Sequence, residues 1–229
     1  MRRKAVSLFL SIMSSTSMRV LITAGPSSEP IDSVRTITNR STGEFGATLA
    51  ERFIDTEHQV EIFLGEGATQ SIPGAIRFQT NADLERALGS VSQPEKVDLF
   101  LHAAALTDFR VDAVQVDGRD VNLGKLDSSF DSVELVLRRQ PKLISQLRNL
   151  FPRALIVGWK FEVAVTESEL LAEARKQIAA NRTDACVING PSFPAGFGFC
   201  DATGLRAAFA TKAELARYLV DWSETLIKS

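Results

Sequence analysis

Residues 19–46 read RVLITAGPSSEPIDSVRTITNRSTGEFG, and this stretch decides the fold. It opens with Val20-Leu21-Ile22-Thr23-Ala24, a short apolar run of the kind that forms a strand buried on both faces, and stops at Gly25. A residue without Cβ there lets the backbone turn sharply and approach a ligand. Residues 26–32 are too polar and too interrupted by Pro26 and Pro30 to be helix, so an extended loop replaces the usual immediate strand-to-helix turn. Helical spacing begins only after Asn39-Arg40-Ser41-Thr42-Gly43-Glu44-Phe45-Gly46, with Ala47, Leu49, Ala50, Phe53 and Ile54 on its apolar face.

Working outward, the same alternation continues to the C-terminus. Short apolar runs at 59–64, 99–104, 154–159 and 185–189 read as further strands. Between and after them, 46–55, 83–91, 142–150, 167–181 and 212–227 carry i, i+3, i+4 apolar spacing and read as helices. Strands alternating with helices predict an α/β fold: a Rossmann-like, doubly wound, mostly parallel sheet with helices on both faces. No repeat or low-complexity linker divides 18–229, which reads as a single domain. The polar stretch 111–131 reads as a long flap loop, and 191–204, rich in Gly, Pro and Phe, as a packed surface turn.

Residues 1–17 stand outside this pattern. Arg2, Arg3 and Lys4 precede the apolar run 5–13, with Ser15-Thr16-Ser17 after it, which is signal-like. Met18 opens a strand that needs nothing before it, so the favoured reading is a non-domain N-terminal extension. The run falls far short of the roughly 20 residues of a membrane-spanning helix, and no membrane partner is expected.

Composition narrows the chemistry. Of 229 residues 45% are hydrophobic and 24% charged, which excludes a disordered or fibrous chain. Lys and Arg total 26 against 28 Asp and Glu, so no basic excess points to nucleic acid, and an anionic ligand must be held by local groups. Two cysteines, Cys186 and Cys200, and two histidines, His58 and His102, supply neither a disulfide framework nor a four-ligand zinc site. A reduced, cytoplasmic setting follows, and no residue is assigned as a metal ligand.

Candidate binding groups gather at strand ends, where ligands of open α/β sheets bind. The helix start at Ser41, Gly43 and Gly46 offers free N–H groups and close backbone approach to a phosphate, or is an ordinary capped helix. Its spacing is neither G-x-G-x-x-G nor a Walker A loop. Ala103, Ala104 and Ala105 leave room beside the third strand, and Asp108 stands at the rim as a pocket acid or a turn residue. His102 reads as a packed histidine. Lys125, alone between Lys96 and Lys142 among lysines, is a solvated side chain or a cation that closes over phosphate. Trp159 and Asn189, at two further strand ends, suit stacking on a base and reading its edge, or core and turn roles.

Taken together, LITAGPSSEPIDSVRTITNRSTGEFG, AALTDFR, GKLDSS with VELVLRRQPKLI, VGWKFE and DACVING, in this order and spacing, resemble the phosphopantothenoylcysteine synthetase family over nearly everything after Met18. The resemblance implies a ligase of coenzyme A biosynthesis that joins 4'-phosphopantothenate to L-cysteine through an acyl-nucleotide intermediate. It implies catalytic roles for Asn39 and Lys125, nucleotide binding by Gly25, Ser41, Gly43, Gly46, Trp159 and Asn189, and substrate binding by Ala104, Ala105 and Asp108. Mg²⁺ is implied with CTP or ATP as co-substrate, as are a homodimer and a decarboxylase, separate or fused. Glu44, Asp127, Ser128 and Asn181 stand where the family commonly carries basic residues, with Lys160 or Arg138 as replacements. Two alternatives stay open: a nucleotide-binding homologue without ligase activity, and an NAD(P)-dependent reductase. The latter lacks a Tyr-x-x-x-Lys pair, the single tyrosine being Tyr218.

Overall fold

The computed structural model describes residues 17–121, 124–163 and 165–227. The reading of 1–17 as an extension therefore lies, but for Ser17, outside the described residues. In chain order the first half contains β1 (Arg19–Ala24), β2 (Ser28–Pro30), β3 (Thr36–Thr38), α1 (Glu44–Asp55), β4 (Gln59–Gly65), β5 (Ile76–Phe78), α2 (Asn81–Gly89) and β6 (Leu99–His102). The second half contains β7 (Phe109–Val116), β8 (Arg119–Asp120), β9 (Glu134–Arg139), α3 (Ile144–Leu150), β10 (Leu155–Phe161), α4 (Glu167–Asn181), β11 (Ala185–Asn189), β12 (Phe197–Asp201), β13 (Gly204–Phe209) and α5 (Lys212–Ile227).

The central sheet has eight strands in the order β13-β12-β11-β10-β6-β1-β4-β5. From β5 to β11 every pairing is parallel, and β12 and β13 extend the edge antiparallel. β1 is central because Val20, Leu21 and Ile22 are fully buried, the outer two on one face and Leu21 on the other. On the first face α1 (Leu49, Phe53) and α5 (Leu215, Leu219) cover the sheet. On the second, α2 (Leu84, Leu88) and α3 (Leu147) do so, while α4 packs Leu170, Ala174 and Ile178 against Cys186, Ile188 and Cys200. Burying each Leu, Ile or Phe side chain among them stabilises the fold by about 1.5–3 kcal/mol. No helix among the described residues is long and apolar enough to cross a membrane.

Three expectations need correction. The stretch 111–131 is not one long loop: its first part belongs to β7, which turns at Asp117-Gly118 into β8 and pairs with β9 in a separate three-stranded sheet. β7 looks polar because only one face is covered, Val114 being buried between more exposed neighbours, and because a register shift between Val111 and Ala113 interrupts its alternation. Likewise 191–204 is not a surface turn, since β12 lies within it with Phe199 and Cys200 buried. The run 99–104 ends as a strand at His102, although Ala103 and Ala105 still donate to Thr23 and Gly25 of the β1 segment at 3.0 and 2.9 Å.

Candidate active site

Because β1 has β4 on one side and β6 on the other, the chain reverses its winding there, and a crevice opens beyond the carboxyl ends of β1 and β6. The crevice is a cavity of about 970 Å³. Gly25, Asn39, Ser41, Gly43, Gly46, Ala104, Ala105, Asp108, Trp159 and Asn189 all line it. Lys125 does not.

The floor is α1 seated on the end of β1. A Cβ on Gly46 would lie 2.1 Å from the Cβ of Ala24, so the helix approaches the strand closer than any side chain allows. Gly43 is the N-cap, left-handed at φ 75°, and has no side chain to cap the helix; Thr42 Oγ1 accepts the Glu44 N–H at 3.3 Å, which leaves the N–H groups of Phe45 and Gly46 open. The other long helices are closed: Thr80 with Asp83 on α2, Thr166 with Glu169 on α4, and Thr211 with Glu214 on α5 each form a capping box. The first turn of α1 therefore keeps donors turned to the cavity, where an anion is favoured. Glu44, which lines the same cavity, pairs with Lys212, with Nζ to Oε2 at 2.6 Å.

The opposite wall is the β6–β7 connection, held by side-chain amides. Asn39 Nδ2 donates to the Ala105 and Leu106 carbonyls at 3.3 and 2.8 Å, and Asn81 Nδ2 to the Thr107 carbonyl at 2.8 Å. Gln140 Nε2 donates to buried Glu29 at 3.0 Å and to Thr107 Oγ1 at 3.2 Å, tying three loops together. Asp108 is exposed at the rim, 3.4 Å from Lys142. At the far end Trp159 meets Phe45 edge to face, with ring centroids 5.5 Å apart, and its buried indole N–H has no hydrogen-bond partner among the described residues. Asn81, Gln140, Lys142 and Lys212 line the cavity too and were not singled out in the sequence. A Thr-x-x-Glu box just before an apolar helical pattern marks where α5 begins, but nothing local says that Lys212 faces the cavity.

No thiol or imidazole in this site is poised as a nucleophile. His102 is bonded to Thr23 Oγ1 at 2.7 Å, and burial pushes its pKa down to about 4, so the ring is neutral at physiological pH. Cys186 and Cys200 face each other across β11 and β12, and burial pushes both thiols up, Cys200 to about 11. Among the described residues no cluster of three His, Cys, Asp or Glu could hold a metal ion.

Lys125 sits on an anchored strap. Leu126 donates its N–H to Asp32 at 3.0 Å, the Gly124 carbonyl accepts from Ser33 N–H at 2.9 Å, and Leu126 itself is buried. The Leu126 N–H and those of Val34 and Arg35, aided by the Arg35 guanidinium, hold Asp32 down to about 2. A carboxylate depressed this way stabilises the fold above its ordinary pKa, and the contribution fades as pH falls from about 4 towards 2. Asp32→Ala should release the strap at neutral pH. The Leu126 amide is expected to exchange about tenfold faster and trypsin to cut faster after Lys125; unchanged exchange would show that Asp32 does not anchor it.

Residues 15–221 match the family described as the DNA/pantothenate metabolism flavoprotein C-terminal domain. The chain belongs to that family. Among relatives of this C-terminal domain family, the coenzyme A biosynthesis bifunctional protein CoaBC of Thermococcus kodakarensis is 34% identical over 172 residues, covering 75% of this chain and 41% of the relative. The chain thus spans about two-fifths of the length of such relatives. The crystal structure of the DNA/pantothenate metabolism flavoprotein from Streptococcus pneumoniae superposes with a TM-score of 0.79 at 25% identity, covering 92% of this chain and 100% of that one. A Cab2 mutant in complex with phosphopantothenate-cysteine shares the fold, with a TM-score of 0.69 at 17% identity over 92% of this chain and 88% of that one.

Proposed function

We propose that this domain joins 4'-phosphopantothenate to cysteine at the expense of a nucleoside triphosphate. The observation that carries the proposal is the uncapped α1 start facing the amide-held β6–β7 wall across one cavity, which suits an anionic nucleotide on one side and a second substrate on the other. The names of the relatives, a coenzyme A biosynthesis protein and a complex with phosphopantothenate-cysteine, support the same reading.

In this reading the substrate carboxylate attacks the α-phosphorus and pyrophosphate leaves. The cysteine amine then attacks the acyl carbon, forming the amide and releasing the nucleoside monophosphate. Neither step needs a protein nucleophile. The chain contributes positioning and charge: α1 donors and nearby cations hold phosphate, and Asn39 fixes the Ala105–Leu106 wall. Among the described residues the acids do not form a cage for a resident cation. Mg²⁺ is therefore proposed only as part of the nucleotide substrate, with phosphate and water as its main ligands.

Pyrophosphate release tests this, with purified protein, phosphopantothenate, cysteine, Mg²⁺ and CTP or ATP. Release that requires phosphopantothenate, and amide product that requires cysteine, is the expected result. Release with none of the four common nucleoside triphosphates would leave the homologue without ligase activity. A reductase reading finds no acid, since Tyr218 packs between Phe199 and Phe209 and does not line the cavity. A cytoplasmic homodimer and a decarboxylase partner belong to the same proposal. The bifunctional relatives support the partner, and Phe109, Val136 and Leu137, exposed on the β7–β9 sheet, support self-association.

A further inference from the structure

α1 and α5 lie side by side and run in the same direction. Glu44, the first residue of α1, pairs with Lys212, the first residue of α5, while at their other ends Nε2 of His58, just beyond α1, lies 3.2 Å from Oε1 of Glu224 in the last turn of α5. Both helix starts therefore open on the cavity, where Gly43, Glu44, Phe45, Gly46 and Lys212 share one wall.

The place of Lys212 is electrostatically costly. An ammonium in a first turn faces the positive end of its own helix. It serves no capping need there, because the Thr211–Glu214 box already closes α5. Its partner Glu44 is half exposed, so the pair is weakly held and open to competition from a stronger anion. A charge kept at an unfavourable helix position, a weak tether and an adjacent uncapped helix start have one shared consequence: the wall is set to exchange a carboxylate for phosphate.

We propose that Lys212 binds the polyphosphate of the nucleotide, and that Glu44 is a positioning residue that holds the ammonium at the cavity wall until phosphate displaces it. The proposal rests on the nucleotide reading above. It assigns to α5, far along the chain from α1, part of the discrimination between a triphosphate and a monophosphate. It also gives Glu44, an acid on the cavity wall, a role compatible with its place in a phosphate site, since it pairs with Lys212.

The test is calorimetric titration of the full chain with CTP, ATP, CMP and AMP, for the parent and for Lys212→Met, Lys212→Arg and Glu44→Gln, with thermal melting of each unliganded protein. Lys212→Met should weaken the bound triphosphate about tenfold and the matching monophosphate less than about twofold. Lys212→Arg should restore most of the loss, and Glu44→Gln should tighten triphosphate binding by about two- to threefold, as the tether is removed. A parent that binds triphosphate while Lys212→Met leaves it unchanged, or weakens both ligands equally, overturns the role of Lys212 alone. A parent that binds no nucleotide overturns this proposal together with the nucleotide reading. Altered melting with an unchanged triphosphate-to-monophosphate ratio would make the pair a purely structural contact.

Discussion

Lys125→Ala is expected to lower turnover by about 10²–10³-fold, the loss typical when one preorganised charge facing a developing anion is removed. Its melting temperature should stay within about 2 °C of the parent's. The split follows from how the strap is built. Gly124 and Leu126 do the anchoring through backbone groups, and the apolar burial belongs to Leu126, so truncating Lys125 removes no packing. Lys125 itself is exposed and makes no ion pair among the described residues. It does not line the cavity, yet its strap is fastened to the loop of the hairpin in which β2 and β3 pair antiparallel, and Asn39, one residue beyond β3, lines the wall. Closing that hairpin would carry Lys125 with it. Pyrophosphate release and thermal denaturation together check the prediction; a matched loss of turnover and stability would make Lys125 a structural residue.

Gly46→Ala should destabilise the protein by about 1–3 kcal/mol, the usual cost of overpacking. The new methyl would sit 2.1 Å from the Cβ of Ala24, and neither carbon can rotate away, so α1 must lift from β1. The same displacement moves Gly43 and the first-turn donors, so nucleotide affinity should fall along with stability. Gly89→Ala is the comparison, because nothing lies within 4 Å of a Cβ added there at the end of α2. It should be neutral or stabilising by up to about 1 kcal/mol. Urea unfolding of the two variants with nucleotide titration decides the matter; equal unfolding midpoints would mean that the contact between α1 and β1 relaxes freely.

The parallel sheet was legible because strands buried on both faces must be apolar at nearly every position, and Val20 to Ala24 is such a run. Helices α1, α4 and α5 were equally plain, since an amphipathic stripe at helical period persists whatever the helix packs against. β7 was not. A strand in a small sheet with one face open alternates, and with Arg110, Asp112 and Gln115 on it the alternation resembles a polar loop. β12 was hidden for another reason: glycines at 196 and 198 and Pro194 read as turn punctuation, while Phe199 and Cys200 take their burial from neighbours in the sheet.

For the site, sequence alone determined which residue types end the strands, and parallel topology then guarantees that carboxyl ends separated by many residues share one edge. Thus Gly25, Ala105 and Asn189 gather at one edge, and Trp159, expected at a strand end but two residues inside the end of β10, still lines the same cavity. Only the tertiary structure decided how charge is distributed around that edge. Whether Glu44 faces a phosphate or an ammonium depends on the packing of α1 against α5, and whether Lys125 stands in the cavity or on a strap depends on Asp32. Hydrophobic period is a local property carried by each segment, whereas an ion pair between residues 44 and 212 exists only once the core has fixed two helices side by side.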